Sequence, residues 1–333
     1  MILVTGGTGL IGSHLLLALL RKGEKIRATY RSKYSVDKVK KLFKLEGAST
    51  IALFDQIEWV EADLLDLPAL TQAFKGVQKV YHAAALVSFD KRDARALMNI
   101  NVTGTQNVVN LCLQNSIQKL AYVSSVAALG QYADGKCTDE EALWQYQKNI
   151  SNYSVSKYYA ENEVWRASAE GLNVVIVNPA TVIGYSDWNN SSSMIIKKVS
   201  EGLPYYPEGT NGYVGVKDVV KALVLLMDGD TQSERFLLVA ENLSFKDLFD
   251  QLAKALEVKT PTWKISKGMA KIAMFFDQLK ALLSNSKPAL TGDSIEAVYA
   301  QRCFSATKIE TMLGFKFEPI KAVIADQIPL YKK

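Results

Sequence analysis

Cysteine is scarce in this 333-residue chain, and the three present, Cys112, Cys137 and Cys303, are odd in number and far apart. Their spacing matches neither a disulfide framework nor a metal-ligand motif, so the sequence predicts reduced thiols, a fold that needs no crosslink, and no bound metal. Histidine is scarcer still: His14 and His82 lie at no ligand spacing from a cysteine. No apolar run reaches the ~18 residues of a membrane span, and the apolar start of the chain carries neither a basic leader nor a small-residue cleavage site. The expectation is a cytoplasmic protein with no membrane span. Charge of one sign is modest too. Thirty-nine Lys plus Arg against 34 Asp plus Glu leave +5, short of the balance of nucleic-acid binders, so nucleic acid is not an expected partner.

What is present is 48% hydrophobic residues and 20 glycines, in a length that buries a sizeable core. Short apolar runs at 1–5, 25–30, 57–62, 79–82, 119–124 and 173–178 alternate with helical stretches at 14–21, 33–46, 67–75, 93–115 and 151–170. Strands apolar on both faces and separated by helices predict an α/β fold, a Rossmann-type doubly wound parallel sheet. After Pro179 the texture shifts to loops rich in Ser, Asn, Gly and aromatics, short helices and one strand at 235–239. Residues 1–180 read as a dinucleotide-binding domain with a return segment at 213–228, and 181–333 as a smaller α/β substrate lobe. The stretch 268–283 sets Met269, Ile272, Phe276, Leu279 and Leu283 on one face, as a helix covering the core or a cleft would.

The first strand runs into Thr5-Gly6-Gly7-Thr8-Gly9-Leu10-Ile11-Gly12, which fits GxGxxG and GxxGxxG spacing and opens a helix. In that context glycines allow a tight turn and close approach of backbone to pyrophosphate, and the free amides of the helix start meet the negative charge. About 20 residues on, where an acidic residue would bond the ribose hydroxyls of NAD, the chain reads Tyr30-Arg31-Ser32-Lys33. With no carboxylate there and Arg31 able to pair with a 2′-phosphate, the expected cofactor is NADP(H), with NAD(H) possible and an ordinary loop arginine the plainer reading.

Tyr153 and Lys157 stand four apart at the start of a helix, on one face. A nearby ammonium would lower the phenol from its usual ~10 toward the range of general acid/base chemistry. Tyr122-Val123-Ser124-Ser125 brings two hydroxyls to the carboxyl edge of the sheet, where open α/β folds bind ligands. Together these parts describe hydride transfer between a nicotinamide and a carbonyl carbon.

These stretches resemble the extended short-chain dehydrogenase/reductases, within the NAD(P)-dependent epimerase/dehydratase superfamily, over nearly the whole chain. The resemblance leans to the dihydroflavonol reductase, cinnamoyl reductase and 3β-hydroxysteroid dehydrogenase branch. It implies Ser125, Tyr153 and Lys157 as the catalytic set, with Ser124 the nearest competitor. It implies cofactor contacts at Gly6, Thr8, Gly9, Leu10, Ile11, Gly12, Arg31, Asp63, Leu64, Ala83, Ala84, Tyr153, Lys157, Pro179 and Val182. It further implies that Asn101 braces the site and that helices 93–115 and 151–170 pair in a homodimer. Read on their own, His82 is a satisfied packing residue, Asp63 a turn cap and Asn101 a helix-interior hydrogen bonder.

Within the superfamily, Val126-Ala127-Ala128 replaces the acidic pair of the dehydratases, and Asn211 to Asp218 lacks the arginine with which epimerases grip a diphosphate. Phe89, Tyr185, Trp188, Tyr205 and Tyr206 either line a pocket for an apolar or ring-bearing carbonyl compound or belong to the core, and they lean the reading away from a strongly anionic substrate. Three readings follow: an NADP-dependent oxidoreductase acting on a small carbonyl or alcohol substrate, a nucleotide-sugar epimerase with tightly held NAD(P), and a catalytically silent NAD(P)-binding sensor.

Overall fold

Strands that are apolar on both faces must be covered on both, and in the computed structural model helices do this. The structure describes residues 1–146, 150–188, 192–283 and 291–332. Along the chain run β1 (Ile2–Thr5), β2 (Ile26–Tyr30), β3 (Glu58–Glu61), β4 (Lys79–His82), β5 (Lys119–Val123), β6 (Val174–Pro179), β7 (Thr181–Ile183), β8 (Tyr205–Tyr206), β9 (Thr210–Gly215), β10 (Glu234–Leu238), β11 (Glu241–Ser244) and β12 (Trp263–Lys264). Seven of them form one parallel sheet in the order β10-β6-β5-β4-β1-β2-β3. This is the Rossmann-type α/β arrangement.

Side-chain alternation divides the core. Val4, Ala28, Tyr81 and Val175 point to a layer built from α1 (Leu10–Arg21), α2 (Lys33–Leu45), α3 (Ser49–Phe54) and, after the return of the chain, the helix Val216–Asp228. Leu3, Val80, Leu120, Tyr122 and Ile176 point the other way, to α4 (Leu67–Ala73), α5 (Ala94–Leu97), α6 (Gly104–Gln114) and α7 (Asn152–Ala169). A third cluster lies beyond Pro179. It joins Ile183, Tyr213, Phe249 and Ile324 beneath the small sheet β11-β9-β7.

The structure corrects the sequence reading at several places. The strand at 235–239 is not part of the smaller lobe: β10 pairs with β6 from Glu234↔Val175 to Leu238↔Pro179 and closes one edge of the main sheet. The single helix expected at 93–115 is interrupted by a π-helical stretch, Met98–Thr103, which contains Asn101. In the helix Lys267–Leu283, Met269 and Ile272 are exposed where a buried stripe was expected, while the side chains of Phe276, Leu279 and Leu283 lie outside the described residues. Among the described residues no helix is long and apolar enough to cross a membrane.

The cysteines also depart from expectation. Cys137 and Cys303, 166 residues apart in sequence, form a disulfide, and Cys112 is buried and free. Sequence spacing could not show this pairing, because it depends on two extended segments meeting: the Thr138 amide donates to the Cys303 carbonyl at 2.9 Å and the Ser305 amide to the Thr138 carbonyl at 2.9 Å. Closing so long a loop restricts the unfolded chain. Cys137→Ser is therefore expected to lower unfolding free energy by about 2–4 kcal/mol in urea titrations under oxidising conditions, and a reductant should produce the same drop in the wild type. Coincident wild-type and variant curves would show that the link is not formed in solution.

Candidate functional site

Strand order reverses between β1 and β4, and ligands of open α/β sheets bind in the crevice outside such a switch point. The glycine turn leaves β1 there. Gly6 has φ +73°, and a Cβ on it would lie 2.4 Å from the Ala84 amide nitrogen, so glycine is required for the turn to nest against Ala83 and Ala84 at the end of β4. A Cβ at Gly12 would lie 2.1 Å from the Gly6 carbonyl oxygen. Helix α1 then starts with Gly9 as its cap and no side chain bonded to its first amides, leaving them for an anion. These features fit a dinucleotide's pyrophosphate, with Thr8, Leu10 and Ile11 in the same turn.

At the end of β2, Arg31 is exposed, its guanidinium 4.0 Å from the Asp63 carboxylate. Asp63 also caps its own turn, accepting the Leu65 amide at 2.9 Å. Leu64 is buried against Gly104, and its carbonyl accepts from Asn107 at 2.8 Å. Pro179 ends β6 and Val182 lies in β7, so both sit at the carboxyl edge, where the two sheets meet.

The same edge carries the hydroxyl pair. Ser124 is buried and donates to Glu161 Oε2 at 2.5 Å. Ser125 instead caps a short 3-10 turn, with Oγ accepting the Ala127 amide at 3.1 Å, and its hydroxyl stands close enough to the Tyr153 phenol to lower that group's pKa. Of the two serines, then, only Ser125 faces Tyr153. Ser151 caps α7, and this first turn delivers Tyr153 and Lys157.

Lys157 does not touch Tyr153's oxygen. Its Nζ donates to Tyr122 Oη at 2.9 Å and to the Val123 carbonyl at 3.0 Å. The expected depression of the Tyr153 pKa is accordingly absent: burial pushes the phenol above 10, opposed by the Ser125 hydroxyl. Burial also pushes Lys157 down to about 7, while Glu161 one turn along pulls it upward.

Behind Lys157 runs a chain of polar groups that motif reading missed. Burial pushes the Tyr122 phenol up, and the nearby Thr105 hydroxyl opposes that rise. His82 Nε2 lies 3.0 Å from Thr105 Oγ1 and His82 Nδ1 lies 2.6 Å from Thr5 Oγ1. The imidazole stacks on Tyr122 at 5.3 Å, and burial lowers its pKa to about 3, so it is neutral. An ammonium can only donate, so Tyr122 Oη accepts from Lys157. Asn101 works beside it: its amide bonds the Leu86 backbone at 2.7 and 3.0 Å and the Ser156 hydroxyl at 2.9 Å, fixing the loop after β4 to α7. Glu161 gathers Ser124, Asn178, Trp165 and Arg235. Only its position four residues after Lys157, on the same helical face, could have signalled it.

The aromatics separate. Phe89 packs edge-on to Tyr153 at 5.9 Å. Tyr185 and Trp188 pack on Tyr331, at 4.9 and 4.5 Å, and Tyr205 and Tyr206 form β8 against β12, so these four are not gathered at Tyr153.

Crevice, glycine turn and hydroxyl cluster define a dinucleotide-binding α/β enzyme of the extended short-chain dehydrogenase/reductase type. The comparisons agree. Residues 2–238 match the NAD dependent epimerase/dehydratase family, and the chain belongs to that family. It is similar to a Synechocystis protein provisionally named dihydroflavonol 4-reductase, at 29% identity over 98% of this chain and 92% of that one. It is also similar to cinnamoyl-CoA reductase 1 of Petunia hybrida, at 31% identity over 75% and 76%. Among solved structures, UDP-glucose 4-epimerase of Thermus thermophilus in complex with NAD superposes with TM-score 0.74 at 19% identity, covering 99% and 98% of the two chains, a likeness of fold.

Lys157 provides a test of this geometry. Its folded pKa of about 7 lies below the ordinary 10.5, so the unfolded chain takes up the proton first as pH falls. Its contribution to stability therefore declines from pH ~10.5 to ~7 and levels off below. Lys157→Met should be more stable than wild type by about 1–4 kcal/mol at pH 7, with the gap closing toward pH 10, in urea titrations across pH. A pH-independent gap, or a less stable variant, contradicts the placement of the ammonium.

Proposed function

We propose that this protein is an NADP-dependent oxidoreductase that transfers hydride between nicotinamide and a carbonyl or hydroxyl carbon of a small, ring-bearing or apolar substrate, using Ser125, Tyr153 and Lys157. The observation that carries the reading is the placing of the Ser125 hydroxyl beside the Tyr153 phenol, whose pKa it lowers against the push of burial, with the Lys157 ammonium seated under the same edge. When bound, the reduced nicotinamide supplies the hydride to the carbonyl carbon. Ser125 donates to the carbonyl oxygen and orients it, and the Tyr153 hydroxyl gives its proton to that oxygen as negative charge builds there. Its raised pKa suits it to hold a proton at neutral pH in the reducing direction. Lys157, held on Tyr122 and Val123 behind this pair, holds the cofactor ribose. Gly6, Thr8, Gly9, Leu10, Ile11 and Gly12 take the pyrophosphate. Arg31 takes a 2′-phosphate, Asp63 and Leu64 the adenine, and Ala83, Ala84, Pro179 and Val182 contact the rest of the cofactor.

The relatives named as reductases support reduction of a carbonyl over epimerisation. In this reading residues 1–180 hold the cofactor and most of 181–333 the substrate, and α6 and α7 form a two-fold dimer, which a solution mass measurement tests.

An NADPH-oxidation screen over aldehydes and ketones should find turnover that Tyr153→Phe lowers by about 10²–10⁴-fold with little change in NADPH affinity. Equal rates in variant and wild type would remove the mechanism. Arg31→Glu should weaken NADPH binding by at least ~10-fold and leave NADH binding unchanged or tighter. Equal NADPH affinity before and after would remove the cofactor preference.

A further inference from the structure

Among the described residues, cations drawn out of water are answered by groups of the protein, and Arg302 departs from this. Arg235 has Glu161 at 3.0 Å and the Glu140 carbonyl, Lys119 has the Gly229 carbonyl at 2.7 Å, and Lys157 has Tyr122 and Val123. Arg302 has no such group. Its Nε is buried without a hydrogen-bond partner, and its side chain makes no ion pair or hydrogen bond among the described residues. Desolvation pulls its pKa down, and no carboxylate opposes it. Arg302 is half-buried, with the inner nitrogen of its guanidinium out of water and unpaired while the terminal nitrogens keep an outlet, and such a fork is completed by an acceptor from outside the chain.

Its place in the fold says where that partner would lie. After the helix Gly292–Tyr299, the chain at 300–306 runs between two walls. On one side is Thr138, in the stretch that follows Ser125, bonded to Cys303 and Ser305. On the other is Thr210 of β9: the Arg302 amide donates to its carbonyl at 3.2 Å, and its hydroxyl donates to the Arg302 carbonyl at 3.0 Å. Next along β9, Asn211 donates to Thr181 Oγ1 at 2.9 Å, two residues beyond Pro179. Arg302 therefore stands where the smaller lobe meets the edge that carries Ser125. Its neighbours are committed elsewhere, Cys303 to the disulfide and Phe304 against Gly212.

We propose that Arg302 is a substrate-binding residue that grips an anionic group, a carboxylate or a phosphate, on the carbonyl compound reduced at Ser125 and Tyr153. This rests on the reductase reading for the reacting end and extends it by giving the other end of the substrate its charge. The planar fork of guanidinium suits bidentate bonds to either oxyanion. The aromatics do not argue against an anion, since only Phe89 of the five stands at Tyr153.

The test compares 4-carboxybenzaldehyde with its neutral methyl ester, and 4-formylphenyl phosphate with its neutral dimethyl ester, as substrates with NADPH. A parallel arm titrates benzoate and phenyl phosphate into NADP-loaded protein by calorimetry. Wild type should prefer one anionic aldehyde over its ester by about tenfold or more in kcat/KM and bind the matching anion; which pair does so distinguishes carboxylate from phosphate. In Arg302→Met both preference and anion binding should fall by about tenfold, with Arg302→Lys between. The melting temperature of Arg302→Met should equal or exceed that of wild type, because an unanswered cation has been removed. A lower melting temperature, anion binding that survives in Arg302→Met, or esters and acids reduced alike by wild type would each overturn the proposal, the last leaving the reductase reading intact. Arg302-dependent anion binding with no aldehyde turnover would keep the anion site and remove the reductase reading.

Discussion

A single ammonium, Lys157, sets the terms for the rest of the structure. Burying it requires acceptors already in position, and the end of β5 provides two, the Tyr122 hydroxyl and the Val123 carbonyl. Because successive strand residues point to opposite faces, Tyr122 reaches Lys157 from the α7 side of the sheet, where His82 stacks on it and Thr105 continues the polar chain. Glu161 supplies the opposing charge one turn along and in doing so locks Ser124, Asn178 and Arg235. Ser125 is left as the hydroxyl free to meet Tyr153.

Such an arrangement works against stability and in favour of chemistry. An apolar residue in place of Lys157 would suit the surrounding core, yet the charge is kept among fixed dipoles that, in the proposed reaction, need no rearrangement when the Tyr153 phenol gives up its proton. Two arginines stand in different settings, Arg31 exposed at the tip of β2 beside Asp63 and Arg302 half-buried beside β9. The first is held only by a long surface ion pair, and the backbone of the second is fixed by strand-like pairing with Thr210.

What the sequence made legible is what has a short period or a fixed spacing. β1 and the glycine turn were readable because an apolar run followed by Gly6, Gly9 and Gly12 admits few conformations. Tyr153 and Lys157 were readable because a helix brings residues four apart together. The partners assembled by the fold were not. Nothing local marked Tyr122 as the partner of Lys157 or told Ser124 from Ser125. The disulfide and the place of β10 depend on segments 166 and 59 residues apart in sequence that meet only once the chain between them has folded. Asn101 could be read either way until the π-helical stretch fixed its direction toward Leu86 and Ser156.

The place of β10 bears on how the chain can be made and divided. Although β6 ends at Pro179, its outer ladder is satisfied only by Glu234–Leu238, with Glu140 bonding the Leu237 amide from the side. A nascent chain emerging from the ribosome must therefore carry an open, strongly apolar edge until more than fifty further residues have been translated. Any genetic cut made after the apparent first module would make that exposure permanent, so the two lobes are one unit of inheritance as well as of packing.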